Sequence, residues 1–200
     1  MSSILILFAH PLLEKSRVHK ELVRQARSVP GVTLHDLYDQ YPDFDIDIPR
    51  EKELLLNHDI IIWQHPFYWY SAPPLIKQWQ DLVLEHGWAY GKTGTALTGK
   101  RIFNVISSGG GMDAYQPGGY NKYPITDYLK PFERTAELCK MIYYPPFWVP
   151  GVHRMDDSVI KEYGMQYRNM LMAISKDIFS DEEILQHQLM NDLFPISSTR

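Results

Sequence analysis

The run Ser3-Ile4-Leu5-Ile6-Leu7-Phe8-Ala9 constrains the fold more than any other stretch of the chain. It is continuously apolar rather than alternating, the pattern of a strand covered on both faces inside a parallel sheet. The same signature returns at Asp59-Ile60-Ile61-Ile62-Trp63-Gln64-His65 and at Arg101-Ile102-Phe103-Asn104-Val105-Ile106. Between these runs the apolar spacing becomes helical. Ser16 can cap a helix carrying Val18, Leu22, Val23 and Ala26 that Pro30-Gly31 ends, and Pro73 and Pro74 open another through Leu75, Ile76, Trp79, Leu82 and Val83. Val32 to Leu37 reads as a second strand, Tyr41 to Asp47 as an irregular connection and Arg50 to Asn57 as a helix. Further on, Ile125 to Lys140 is predicted helical, Met141 to Val149 holds a fifth strand, and Ser158 to Phe179 forms a closing helix. Strands alternating with helices, without internal repeats, argue for an α/β fold built on a doubly wound parallel sheet. Residues 1–179 are expected to form the domain and 180–200 a tail, acidic and then amphipathic.

A chain of 200 residues fits one such domain. The balance of 20 Lys+Arg against 24 Asp+Glu gives a net charge of −4, the wrong sign for gripping a phosphate backbone, so no nucleic-acid partner is expected. Cys139 is the single cysteine, which excludes an intrachain disulfide and makes a cytoplasmic location the expectation. No basic leader precedes Met1 to Ala9, and no stretch approaches the roughly 18 apolar residues of a membrane span. The eight histidines show no H-E-x-x-H spacing, so no metal site is expected. His58, His86 and His187 read as solvated helix residues and Cys139 as a small buried apolar group. Gly91-Lys92-Thr93 is not a P-loop, since His86 stands where its first glycine belongs and no strand precedes it. Ser107 and Ser108 lack the preceding glycine of a nucleophile elbow. Unexplained by any of this are 13 Tyr, 8 Phe and 5 Trp.

Doubly wound sheets bind ligands beyond the carboxyl ends of their strands, at a topological switch point. Three loops fall there: His10 to Arg17, His65 to Ser71 and Ser107 to Tyr120. The first enters a helix N-terminus carrying Ser16, Arg17 and His19, where free N–H groups and the helix dipole favour a phosphate; an ordinary capped helix is the plainer alternative. The second, Phe67-Tyr68-Trp69-Tyr70, is four aromatics in a row, which cannot all face a core. Such rings suit a planar heterocycle, or otherwise an aromatic protein–protein interface. The third, Ser107-Ser108-Gly109-Gly110-Gly111, lets a ligand edge approach main chain because glycine removes the Cβ.

Phe8-Ala9-His10-Pro11, Tyr41-Pro42-Asp43-Phe44 with Ile46-Asp47-Ile48, and Gln64-His65-Pro66 through Tyr70-Ser71 are joined by Pro74 to Trp79, Gly87-Trp88-Ala89-Tyr90-Gly91 and Ser107 to Gly111. Together these motifs resemble the flavodoxin-like NAD(P)H:quinone oxidoreductases of the DT-diaphorase type. Within that family the likeness is to the bacterial ancillary flavoproteins of glutathione-gated potassium efflux systems, and it covers Ile4 to Tyr167. The resemblance implies a flavodoxin-like five-stranded parallel sheet in the order 2-1-3-4-5 with helices on both faces. It further implies FMN or FAD as cofactor, NAD(P)H as co-substrate and a quinone as acceptor, the two substrates using one cavity in turn, within a homodimer.

By the same resemblance, His10 and Ser16, Arg17, Val18 and His19 would hold the flavin phosphate end. Phe67, Tyr68, Trp69 and Tyr70, with Ser107, Ser108, Gly109 and Gly110, would cradle the isoalloxazine. Trp88, Ala89 and Tyr90 match the segment that arrives from the second subunit to cover the substrate cavity, which Tyr120 would also line. Tyr115 matches a family tyrosine beside the flavin, a hydrogen-bond donor during proton movement. The histidine that follows it in some relatives is absent, Gly119, Tyr120 and Asn121 occupying that stretch, and His19 replaces an asparagine of the first loop. In such enzymes the cofactor performs the redox step, while the protein orients the rings and stabilises charge through loop amides. The efflux branch, which Asn121-Lys122-Tyr123-Pro124 and Lys130-Pro131-Phe132-Glu133 resemble, implies an alternative: a flavin-binding regulatory subunit docked on a membrane potassium channel, peripheral on the inner face of the membrane, with little catalytic role. A third reading is a structural interaction protein with an empty pocket. The remaining aromatics, Tyr143, Tyr144, Phe147 and Trp148, are expected in a fifth strand and a dimer contact.

Overall fold

A computed structural model describes residues 1–195. The chain runs through β1 (Ile4–Phe8), α1 (Arg17–Ala26), β2 (Val32–Asp36), α2 (Leu37–Gln40), α3 (Ile48–Leu56), β3 (Ile60–Pro66), α4 (Pro74–Val83) and β4 (Arg101–Ser107). It continues through α5 (Ile125–Tyr128), α6 (Lys130–Leu138), β5 (Ile142–Tyr143), β6 (Phe147–Val149), α7 (Asp157–Ser175) and α8 (Asp181–Leu185). All strand pairings are parallel, and the order is β2-β1-β3-β4-β5 with β6 also beside β4. The fifth position is therefore filled, but by two short strands rather than one. β5 pairs Arg101 and Ile102, β6 pairs Val105 to Ser107, and Pro145-Pro146 interrupts them because proline has no N–H for the ladder. The helix expected over Ile125 to Lys140 likewise divides, with Pro131 in the first turn of α6.

The apolar runs owe their continuity to burial on both faces. Leu5, Leu7 and Ala9 pack toward Leu75, Ile76 and Trp79 of α4, whereas Ile4, Ile6 and Phe8 pack toward Leu22 of α1 and Tyr167 of α7. Each such fully buried side chain contributes about 1.5–3 kcal/mol. Tyr144, Phe147 and Trp148 belong to these cores and are buried within their own chain, which corrects the expectation of a dimer contact there. His58 is buried rather than solvated: Nδ1–H donates to the Leu54 carbonyl at 2.7 Å and Nε2 pairs with Thr33 Oγ1 at 2.8 Å. His86 is exposed but lies on a loop, edge-on to Tyr90, and His187 sits half-buried in a bend.

The segment set apart as a tail packs on the domain as far as Phe194, and residues 196–200 lie outside the described ones. Ser180 and Glu183 form a capping box for α8, and Ile184 and Met190 enter the core on the α1 and α7 side. The Asn191 amide accepts from the Trp148 N–H at 2.8 Å and donates to the Trp148 carbonyl at 3.1 Å, completing the free edge of β6. Among the described residues no helix is long and apolar enough to cross a membrane.

Candidate active site

The loops after β1, β3 and β4 converge at the carboxyl edge of the sheet around two adjoining clefts of about 680 and 690 Å³. Either exceeds the ~300 Å³ lower bound of small-molecule sites. The clefts share Phe67, Trp69, Gly109 and His153.

The first cleft lies against the start of α1. Ser16 Oγ accepts from the His19 N–H at 3.1 Å and so begins the helix, while the N–H groups of Arg17 and Val18 have no acceptor among the described residues. With Lys15 and Arg17 beside them, these donors leave this end of the cleft positively polarised. Arg17 also pairs with exposed Asp157 at 2.5 Å. His10 turns back on its loop, its Nδ1 accepting from the Leu12 N–H at 3.1 Å, and burial lowers its pKa. Tyr68 stands edge-on to it. His19 departs from the expectation: its ring lies behind the cleft, fully buried, with Nε2 bonded to Ser107 Oγ at 2.9 Å and Nδ1 unpaired. Burial, with His10 and His65 nearby, holds its pKa well below the usual value, so the ring is a neutral strut between α1 and β4.

The second cleft is built from backbone. The Phe67 N–H donates to the Ser107 carbonyl at 2.8 Å and prolongs the β3–β4 ladder, after which the Ser71 N–H closes onto the Tyr68 carbonyl at 2.9 Å. The two central residues of that turn, Trp69 and Tyr70, have φ of +50° and +61°. Turns of this hand favour Asn-Gly, and each side chain there costs about 1–2 kcal/mol. The turn divides the four rings: Phe67 is buried and edge-on to Tyr115, Tyr70 stacks on Tyr128, and Trp69 is 93% exposed. The N–H groups of Trp69 and Tyr70, like those of Gly109 and Gly110 opposite, have no acceptor among the described residues.

The glycine loop is held from below. Ser108 is buried rather than cleft-lining, accepts from Trp148 Nε1–H and donates to the Gly110 carbonyl. A Cβ on Gly110 would come within 3.0 Å of the Tyr115 ring, so Tyr115 lies against bare main chain. Burial raises the Tyr115 pKa and keeps its hydroxyl protonated, available as a donor. Near the end of β3, burial lowers His65 to about 4; its Nδ1–H donates to the Pro66 carbonyl at 3.0 Å and its Nε2 accepts from Asn104 at 3.0 Å. Tyr143 donates to Asn104 Oδ1 at 2.6 Å, so this buried chain fixes the strand end that carries the aromatic turn.

Tyr120 lines the second cleft, but Trp88, Ala89 and Tyr90 do not reach either cleft of their own chain. They lie in the loop after α4, where Lys52 covers Trp88 at 4.9 Å. Sequence reasoning missed Asn121, His153 and Arg154, which line the second cleft, and Trp148 beneath it. Pro150-Gly151, ending a further apolar strand, was the available signal for the last of the converging loops.

A flavodoxin-like fold family matches residues 2–171. The chain is 45% identical over 168 residues to the glutathione-regulated potassium-efflux system ancillary protein KefG of Serratia proteamaculans, spanning 84% of this chain and 92% of that one. General stress protein 14 of Treponema denticola, solved in complex with FMN, is 37% identical and superposes with a TM-score of 0.82 over 86% of this chain and 99% of that one. An NADPH-quinone reductase of P. pentosaceus is 32% identical, with a TM-score of 0.78 over 88% and 99% of the two chains. The strand order, the three loops gathered at the sheet's carboxyl edge and the match across residues 2–171 agree, and the chain belongs to the flavodoxin-like fold family.

Proposed function

We propose that the protein is a flavin-dependent NAD(P)H:quinone oxidoreductase with FMN as its cofactor. The observation that carries this reading is the pair of joined clefts, one with free helix amides and cations, the other with four free loop amides beside aromatic rings. FMN has the matching shape, a phosphate at one end and a flat ring with acceptor edges at the other. The glycine cradle supports the fit, because a Cβ at Gly110 would meet Tyr115 at 3.0 Å. The likeness to an FMN-bound protein and to an NADPH-quinone reductase points the same way.

When bound, FMN supplies a ring that accepts hydride from NAD(P)H and passes it on to a quinone. The chain's own residues do the rest. The Arg17 and Val18 amides, with the Lys15 and Arg17 charges, hold the phosphate. The amides of Trp69, Tyr70, Gly109 and Gly110 donate to the ring edge and stabilise negative charge there. The Tyr115 hydroxyl donates a hydrogen bond beside the ring, and Phe67 and Tyr70 exclude water. Trp88 to Tyr90, remote from their own cleft, cover the acceptor site of a second copy, which makes the enzyme a homodimer.

The 45% identity to a potassium-efflux ancillary protein favours a second reading, a flavin-binding regulatory subunit on the cytoplasmic side of a membrane transporter. One experiment separates the two. Purified protein that is yellow, carries one FMN per chain and oxidises NAD(P)H with a soluble quinone supports the enzyme. Flavin without turnover favours the regulatory subunit. Protein that takes up no FMN on reconstitution overturns both.

A further inference from the structure

His153 belongs to none of the three loops read as binding loops, yet it lines both clefts. It sits on the turn Val152–Arg154 that follows β6. Gly151, at φ +69°, turns the chain there, and two main-chain bonds tie the turn to the glycine loop: Gly151 N–H to the Gly110 carbonyl at 2.9 Å and Val152 N–H to the Ser108 carbonyl at 3.1 Å. A Cβ on Gly109 would fall 2.9 Å from Cδ2 and Nε2 of His153, so the imidazole edge lies over the Gly109 main chain.

The other histidines of the site each have at least one ring nitrogen engaged within the protein. His10 accepts from Leu12, His19 is bonded to Ser107, and His65 spans Pro66 and Asn104. The His153 ring is exposed and makes no side-chain hydrogen bond among the described residues, so both its nitrogens are available to a ligand. A molecule with its phosphate in one cleft and its flat ring in the other must cross the strip the clefts share. That strip contains His153, Gly109, Phe67 and Trp69, and of these the imidazole alone offers a side-chain group able to donate to and accept from hydroxyls.

We propose that His153 is a flavin-binding residue that contacts the polyol and ring portion between the two clefts, not the phosphate. The inference rests on the flavin reading above. Binding energy from such a contact is common to riboflavin and FMN, whereas that from the α1 amides belongs to FMN alone.

The test is a fluorescence titration of the full-length apoprotein with FMN and, separately, with riboflavin, for wild type, His153→Ala and His153→Asn. The expected result is a three- to tenfold weaker Kd for both flavins in His153→Ala, as for one lost hydrogen bond, by the same factor for each, with partial recovery in His153→Asn. His153→Asn also stands in should the alanine variant fail to fold by circular dichroism. Equal affinities in wild type and variants overturn the inference, and so does a loss confined to FMN. Wild-type apoprotein that binds neither flavin overturns the functional reading beneath it instead.

Discussion

The indole Nε1–H of Trp148 donates to Ser108 Oγ at 2.9 Å, and the same hydroxyl donates to the Gly110 carbonyl at 2.8 Å. A buried residue of β6 thus shapes a loop that begins at the end of β4. Trp148→Phe removes the donor and keeps an aromatic ring. It should lower unfolding free energy by about 1–3 kcal/mol, from the lost bond and the smaller ring, and weaken FMN binding. Urea unfolding and flavin titration measure the two effects; an unchanged flavin affinity would show that the loop keeps its shape without the indole.

Gly110→Val drives a branched side chain toward the Tyr115 ring, already within 3.0 Å of a hypothetical Cβ. Flavin retention should fall at least tenfold, with the thermal midpoint little changed because the loop is at the surface. Stoichiometric FMN in the purified variant would refute the assignment of this loop to the ring.

Glu51 is fully buried on α3 and accepts from His35 Nε2 at 2.6 Å, the Tyr41 hydroxyl at 2.5 Å and Trp79 Nε1 at 2.7 Å. Burial alone would raise its pKa, but the bonds from His35, Tyr41 and Trp79 and the His35 charge outweigh it and leave the pKa lowered. A carboxylate lowered in the folded state stabilises it above the unfolded pKa, roughly 4.3, and that stabilisation fades as pH falls through the folded value. Glu51→Gln should cost about 2–4 kcal/mol at pH 7 and flatten the acid limb of stability below about pH 4. Chemical denaturation at pH 3 to 7 tests this; parallel curves for variant and wild type would exclude Glu51 from the acid limb.

Tyr115→Phe and Trp88→Ala separate two roles. The first removes a hydroxyl beside the ring and should lower kcat by about a hundredfold or more if proton donation limits turnover, with FMN content unchanged. The second should raise KM for quinone and spare flavin content, since Trp88 lines neither cleft of its own chain. Steady-state kinetics with light scattering decides both; a monomer with full activity would rule out the contribution of Trp88 from a second copy.

Much of the fold is legible in the chain because its signals are local. Ile4 to Phe8, Ile60 to Pro66 and Arg101 to Ser107 carry unbroken apolar runs, and Ser16, Pro73 and Pro74 mark helix starts. Nine of the anticipated flavin residues, His10, Ser16, Arg17, Val18, Phe67, Tyr68, Trp69, Ser107 and Gly109, line the first cleft. What stayed hidden depends on partners distant in sequence. The burial of His58 comes from Thr33, and the docking of Asn191 comes from the edge that Pro145-Pro146 leaves on β6. His153 looks like any surface residue until Gly151 and the glycine loop bring it over Gly109.

The left-handed turn at Trp69 and Tyr70 has a kinetic consequence. Its strain is about 2–4 kcal/mol for two residues, and it must be met either when the chain folds or when a ligand arrives. A loop that took this shape only around its guest would lose that energy from affinity and would bind through a slow rearranging step. Stopped-flow association tells when this strain is met: one phase with a rate linear in flavin concentration if folding alone sets the turn, and a rate that reaches a plateau if the flavin sets it.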